Sequence, residues 1–246
     1  LISGYALMVN SFSEIHFRML VGGEEINDVL FYREGASATT MVFEARDEKE
    51  IAIDGYPVAG TSNQDFEVQK TLAHYPLLLH HDPQNICIVG FGAGGTSWSA
   101  SQHNIDVDCA ELVPDVIKAA KYFPEVNHTV LDDPNYNVIL EDGRNYLLTT
   151  DKSYDVITVD ATSPKLAGNG NLYSKEFYEI CQKKVSEDGI MCQWLPYHLL
   201  TMGGIKMIVR TFYEVFPHTT VWIHPYRVCY DRVGKDKDQA VGFNML

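Results

Sequence analysis

Two hydrophobic patterns alternate along the chain, and the change between them divides it. Between residues 15 and 59 lie short apolar runs, among them Val29-Leu30-Phe31-Tyr32, Thr39-Thr40-Met41-Val42-Phe43 and Glu50-Ile51-Ala52-Ile53. Gly22-Gly23, Glu34-Gly35 and Asp54-Gly55 separate them. Period-two runs broken by glycine turns form hairpins, so a small antiparallel sheet is predicted at the start. From Gln64 to His81 the spacing of Phe66, Val68, Leu72, Leu77 and Leu78 suits a helix, which Asp82-Pro83 stops. The apolar run Ile86-Cys87-Ile88-Val89 then meets Gly90-Phe91-Gly92-Ala93-Gly94-Gly95-Thr96, and a second run, Ile105 to Ala110, ends in Glu111. This predicts a buried parallel strand turning sharply onto a helix and returning as a second strand.

The remainder keeps that rhythm. A helix is predicted over Val113 to Phe123, with Pro114 in its first turn and Pro124 ending it. A strand at Asn137 to Leu140 runs into Glu141-Asp142-Gly143-Arg144, and a strand from Tyr154 closes in Asp160. The turn-rich stretch Ala161 to Asn171 is long enough to be a lid. Then come a helix at Lys175 to Ser186, a stop at Gly189, a strand at Ile190 to Trp194, a helix near Ile205 to Phe216, and strands at Thr220 to His224 and Gln239 to Leu246. Strands alternating with helices predict an α/β, doubly wound, mostly parallel Rossmann-like sheet. The division expected is 1–62 for the β-hairpin domain and 63–246 for the Rossmann-like domain.

Composition narrows the function classes. With 246 residues, 46% of them hydrophobic, the chain can bury a sizeable core. The formal net charge of −14 argues against nucleic acid and suits a cationic ligand. Five cysteines (Cys87, Cys109, Cys181, Cys192 and Cys229) include no C-x-x-C pair, and three sit in apolar runs. Reduced, buried thiols in a cytoplasmic protein are expected, with no zinc site or disulfide frame. No run of eighteen apolar residues exists to span a membrane. Leu1 to Val9 is apolar, lacks an initial methionine and is too short for a signal peptide, so it reads as the remnant of something upstream.

The glycine turn carries the candidate chemistry. Gly90, Gly92 and Gly94 let backbone approach a ligand where a Cβ would collide, and Glu111, about twenty residues on, can accept both hydrogen bonds of a ribose diol. Ligands of such sheets lie at the carboxyl ends of the strands. The glycine turn, Glu111, Asp142 and Asp160 all follow strands on that edge. Each acid alone could equally be a helix cap or a solvated loop carboxylate.

Lined up in this way, the chain resembles the spermidine synthase (polyamine aminopropyltransferase) family over nearly its whole length, whose fold is class I methyltransferase-like. The resemblance is carried most specifically by Tyr154-Asp155-Val156-Ile157-Thr158-Val159-Asp160-Ala161-Thr162-Ser163-Pro164, Leu172-Tyr173-Ser174-Lys175-Glu176-Phe177-Tyr178 and Cys192-Gln193-Trp194-Leu195. It also looks like the branch in which such a domain follows a membrane-embedded, transporter-like part. The resemblance implies a site for decarboxylated S-adenosylmethionine: Glu111 on the ribose, Asp142 with Gly143 at the adenine, and Asp160 near the attacking amine. It further implies that Tyr173 and Gln193 face a small amine or polyamine, that no metal and no permanently bound cofactor take part, and that the chain forms a homodimer. A primary amine is protonated at neutral pH, so a carboxylate must hold the ammonium and take its proton; Asp160 is the expected base.

Three departures from the family's pattern bear on the substrate. Ala93 stands where an aspartate usually holds the donor's aminopropyl ammonium, Ser163 where a second acid is usual, and Val68-Gln69-Lys70 where a tyrosine-histidine-glutamate run is usual. Each lost charge-assisted contact is worth roughly 1.5–3 kcal/mol. Two other readings therefore stand beside aminopropyl transfer: methyl or aminocarboxypropyl transfer from intact S-adenosylmethionine, and a nucleoside-sensing domain with little turnover.

Overall fold

The glycine turn follows a central strand of a seven-stranded sheet, and the order of that sheet explains why the candidate acids share one edge. The protein is described from a computed structural model, which covers residues 26–45, 47–160, 164–165, 168–226 and 240–245. Leu1 to Val9, the Gly22-Gly23 turn, Ser163 and Cys229 lie outside the described residues.

The first sheet is antiparallel, with β1 (Asp28–Glu34), β2 (Thr39–Ala45), β3 (Glu48–Ile53) and β4 (Tyr56–Gly60) in sequence order. Asp54, at φ +50°, and Gly55, at φ +81°, both take the left-handed backbone that a tight hairpin turn requires. Helix α1 (Asn63–Leu79) leads into the second sheet. Its parallel strands are β5 (Asn85–Val89), β6 (Asp106–Ala110), β7 (Tyr136–Ile139), β8 (Tyr154–Val159) and β9 (Val185–Leu195). The antiparallel pair β10 (Val221–Tyr226) and β11 (Ala240–Met245) extends it beyond β9, in the order β10-β11-β9-β8-β5-β6-β7. The chain runs from β5 outward through β6 and β7, then returns to the other side of β5 as β8. The switch point therefore lies between β5 and β8, and their carboxyl ends frame a crevice.

Helices cover both faces. They are α2 (Gly95–Ser101), α3 (Pro114–Ala119), α4 (Pro124–Asn127), α5 (Gly143–Thr149), α6 (Lys175–Lys184) and α7 (Met202–Val215). Alternation along β5 shows why both faces are apolar: Ile86 and Ile88 enter one core with Ala73, Leu77, Ala100 and Val116, while Cys87 and Val89 enter the other with Leu147, Phe177, Ile180 and Phe212. Val42 and Ile51 of the hairpin sheet belong to the first of these cores, so the small sheet is packed onto the large one. Lys49 ties it down further, donating to the Tyr122 carbonyl at 2.9 Å and pairing with Glu125 at 2.6 Å.

Several predicted boundaries shift for local reasons. The helix expected over Val113 to Phe123 is α3 followed by a 3₁₀ turn at Ala120–Tyr122, and Pro124, expected only as a terminator, also opens α4 at its N1 position. Helix α6 ends at Lys184, and β9 starts at once with Val185 opposite Tyr154, although Val156 already pairs with Ile190. Residues 186–189 form a bulge there, and Gly189 lies within the strand's span. A Cβ on Gly189 would come within 2.9 Å of the Asp155 carbonyl. Pro76 sits inside α1 and has no N–H to give the Leu72 carbonyl four residues back; the Thr158 hydroxyl of β8 donates to that carbonyl instead, at 2.7 Å.

Candidate active site

At the end of β5 the backbone turns through Gly90 (φ +95°), Gly92 (φ +56°) and Gly94 (φ +88°), all left-handed values that disfavour a side chain. A Cβ on Gly90 would lie 2.8 Å from the Asp160 carbonyl, so the glycine also lets the ends of β5 and β8 close on each other. Gly90 and Gly92 are half-buried, whereas Gly94 is buried between the Phe91 ring and Asn127. Gly94 thus shapes the turn from inside.

Glu111 follows β6 and is 6% exposed. Its carboxylate accepts hydrogen bonds from the backbone N–H of Phe91, at 2.9 Å, and of Val113, at 2.8 Å. Burial pushes its pKa up, and the N–H groups of Phe91, Val113 and Leu112 act against that rise. The sequence predicts Glu111 as an acceptor for a ribose diol; in the structure it fastens the glycine turn to the start of α3.

Asp142, beyond β7, caps α5, its Oδ1 accepting from the Asn145 N–H at 2.9 Å. The adjacent Gly143 is buried, and a Cβ there would lie 2.4 Å from Val89 Cγ1. The absence of a side chain lets the start of α5 sit directly on β5.

Asp160 follows β8, its own N–H donating to the Val89 carbonyl at 3.0 Å. Its side chain is half-buried, and Thr96 Oγ1 donates to its Oδ2 at 3.0 Å. Burial drives its pKa up to about 6, Asp65 adds to the rise, and the Thr96 hydroxyl opposes it. A carboxyl poised there is largely ionised at neutral pH yet basic enough to accept a proton in a transition state.

Tyr173 and Gln193 lie close by. Tyr173, buried in a 3₁₀ turn at Asn169–Tyr173, has its pKa raised by burial and by the Asp160 charge, while a hydrogen bond from Gln193 lowers it. Gln193, fully buried and paired across the sheet with Val159, donates through Nε2 to the Trp194 carbonyl at 3.2 Å. Its Oε1 is buried with no hydrogen-bond donor among the described residues. Lys70 turns its ammonium over the Phe66 ring, 3.7 Å from the centroid. Ala93 is wholly buried and brings no charge to the turn. Of the stretch expected to form a lid, residues 161–163 and 166–167 lie outside the described residues.

The glycine turn, Glu111 and the half-buried Asp160 thus stand at adjacent strand ends of a doubly wound sheet. The spermine/spermidine synthase domain matches residues 65–231. The chain belongs to the spermine/spermidine synthase family. It is 29% identical over 203 residues to a polyamine aminopropyltransferase from Thermotoga maritima, covering 81% of this chain and 68% of the relative. A polyamine aminopropyltransferase from Methanocaldococcus jannaschii is 31% identical over 202 residues, again covering 81% and 68%. Among solved structures, a spermidine synthase in complex with the transition-state analogue AdoDATO superposes with a TM-score of 0.76 at 26% identity, over 92% of this chain and 76% of the other. The spermidine synthase from Thermotoga maritima gives 0.75 at 26%, over 90% and 73%. The family and the α/β fold expected from the sequence are thereby shown.

Asp65, Gln69 and Thr96 are neighbours of this site for which sequence reasoning supplies no role. Gln69 is buried; its Oε1 accepts from the Gly95 N–H at 2.9 Å and its carbonyl from Thr96 Oγ1 at 3.2 Å. The usable signal was a hydroxyl residue directly after the glycine cluster, in the first turn of the helix that the cluster opens.

Proposed function

We propose that this chain transfers an aminopropyl group from decarboxylated S-adenosylmethionine to an amine or polyamine. The observation that carries the reading is Asp160, a carboxyl held near pKa 6 by burial, at the switch point and beside the glycine turn, in a chain of this family. Glu111 and Asp142 hold the nucleoside in this reading, with Gly90, Gly92 and Gly94 forming the turn beside it and Gly143 bringing α5 up to it. Asp160 takes a proton from the acceptor's ammonium. The freed nitrogen lone pair attacks the carbon bound to the sulfonium sulfur, a C–N bond forms, the C–S bond breaks, and its electron pair stays on sulfur as a neutral thioether. The neutral thioether is the leaving group, and the buried Gln193 Oε1, with no donor among the described residues, supplies an acceptor for an ammonium N–H.

A second reading, methyl or aminocarboxypropyl transfer from intact S-adenosylmethionine, is favoured by Ala93, since an uncharged residue there does not repel a donor carboxylate. The proposal also includes a homodimer and an upstream membrane part, both resting on the resemblance alone. Cytoplasmic placement is supported by the free, buried Cys87, Cys109, Cys181 and Cys192; among the described residues no helix is long and apolar enough to cross a membrane. Division at residue 62 is supported by the family match beginning at 65 and by α1 beginning at Asn63.

The deciding experiment incubates the protein with each donor and a panel of di- and polyamines and identifies products by mass spectrometry. Aminopropylated amine with release of methylthioadenosine is the expected result. Methylated or aminocarboxypropylated product overturns the donor assignment, and donor binding without product from any pair favours the sensing reading.

A further inference from the structure

Thr96 has a single hydroxyl hydrogen and two acceptors within reach, Asp160 Oδ2 at 3.0 Å and the Gln69 carbonyl at 3.2 Å. One O–H cannot serve both fully at once. The residue is 1% exposed, so bulk water does not reach it to fill in for either partner. Its position is fixed from both sides. Gln69 grips the start of α2 through the Gly95 N–H, at a glycine where a Cβ would lie 2.3 Å from Gln69 Oε1. A β-branched side chain on a helix also has few χ1 choices.

We propose that Thr96 is a positioning residue for Asp160: a hydroxyl rotor that donates to the carboxylate while Asp160 is charged and turns to the Gln69 carbonyl once Asp160 has taken a proton. In the charged state Thr96 O–H points at Oδ2. Once the proton is carried on Oδ2, that O–H donates to Thr96 Oγ1, and the Thr96 hydrogen moves to the Gln69 carbonyl. No proton leaves the group during the turn, Thr96 Oγ1 and Asp160 Oδ2 stay bonded to each other in both states, and the carboxyl holds its orientation as its charge changes.

The other ionisable groups facing Asp160 come from separate elements: Asp65 of α1, Tyr173 of the 3₁₀ turn, Cys109 of β6 and Cys192 of β9. Burial holds Cys109 and Cys192 up at about 12 and raises Tyr173, so all three are neutral near pH 7. Asp65 opposes ionisation of Asp160. Among the described residues, Thr96 is thus the side chain that favours the charged base against burial and a like charge.

The catalytic meaning of this rotor rests on the proposed aminopropyl transfer, but its titration does not. The test uses the full chain carrying 13C-labelled aspartate, with the Asp160 signal assigned by Asp160→Asn, in the absence of substrates. Removing the donor with Thr96→Val is expected to raise the Asp160 midpoint by about one pH unit, the difference between a charge-assisted and a neutral hydrogen bond, and Thr96→Ser to restore it. An unmoved midpoint in Thr96→Val overturns the proposal. Should that variant fail to fold, wild-type protein that also carries 13C-carbonyl glutamine still decides: the Gln69 carbonyl shift is expected to follow the Asp160 titration, and a shift that stays flat through it overturns the rotor. Where product forms, the acid limb of kcat/KM is expected to move with the midpoint in Thr96→Val, and a limb that stays put counts against the proposal. Absence of product from wild-type protein overturns the transferase reading instead, and leaves the titration to judge Thr96.

Discussion

The Glu111 carboxylate accepts the Phe91 N–H at 2.9 Å, across the gap between the end of β6 and the turn after β5. A second bond, from the Val113 N–H at 2.8 Å, uses its other oxygen. The acid proposed for the ribose therefore also holds the glycine turn, so in that proposed role one side chain links binding and local stability.

Glu111→Gln tests that link. An amide has only one oxygen, so its NH2 must face one of the two backbone donors, leaving a buried N–H unsatisfied. The variant is expected to lose about 1–3 kcal/mol in urea unfolding, offset in part by relief of burying a charge. Binding of methylthioadenosine is expected to weaken as well, since the diol contacts go with the second oxygen. Wild-type stability would remove the fastening role, and an unchanged dissociation constant would remove Glu111 from the nucleoside site.

Pro76 and Thr158 form a second linked pair, 82 positions apart in sequence. The Thr158 hydroxyl donates to the Leu72 carbonyl, which the proline leaves without its helical partner. Thr158→Val is expected to cost about 1–3 kcal/mol by orphaning a buried carbonyl. In a Pro76→Ala background the alanine N–H can take that carbonyl, so the same substitution is expected to cost less. Equal losses in the two backgrounds, measured by a double-mutant cycle in urea, would break the proposed coupling.

These two pairs show what the sequence makes legible and what it hides. The strand that meets the glycine turn, the return strand ending at Glu111 and the β8 strand ending at Asp160 all follow from apolar runs a few residues long, because strand identity is set locally by period and burial. The common edge of Glu111, Asp142 and Asp160 follows once the strands are parallel. Backbone partners of side chains do not follow. Glu111 as a fastener and Thr96 between Gln69 and Asp160 each depend on how separate elements stack, whereas the Asp142 cap, with its partner Asn145 three residues on, is local and stands among the roles its position allows. The start of β9 was hidden for a related reason: Ser186 to Gly189 have the look of a turn, and only pairing with β8 turns them into a bulge, where the Ser186 hydroxyl donates to Asp155 at 2.9 Å.

Donor selection follows from Ala93. The residue is fully buried and uncharged, so the turn offers no carboxylate to favour an aminopropyl ammonium over an aminocarboxypropyl group. S-adenosylmethionine and its decarboxylated form are expected to bind within about tenfold of each other, a difference of about 1.4 kcal/mol. Parallel calorimetric titrations measure it. Tight binding of the decarboxylated form with negligible binding of the intact one would show that another acid, such as Asp65, whose charge is felt by Asp160, has assumed the role.

Asp160 joins function to stability with opposite signs. Burial raises its pKa from the ordinary 3.8 to about 6, so between these values the folded protein binds a proton that the unfolded chain has released. Its contribution to stability therefore falls as pH rises from about 4 to about 6, and the deficit is complete above that range. Asp160→Asn removes the buried charge and keeps an acceptor for Thr96. It is expected to stabilise the protein at pH 7.5 by about 1–3 kcal/mol relative to wild type, a gain that vanishes near pH 4. An amide cannot take the ammonium proton, so turnover is expected to fall about a hundredfold or more, while donor binding changes much less. A carboxylate that merely capped the loop's backbone donors would leave activity nearly intact on becoming asparagine. Urea unfolding at pH 4 and 7.5, with the mass-spectrometric product assay on both proteins, separates the cases: a variant more stable at the higher pH and nearly inactive is the expected result, and equal turnover would take Asp160 out of the mechanism.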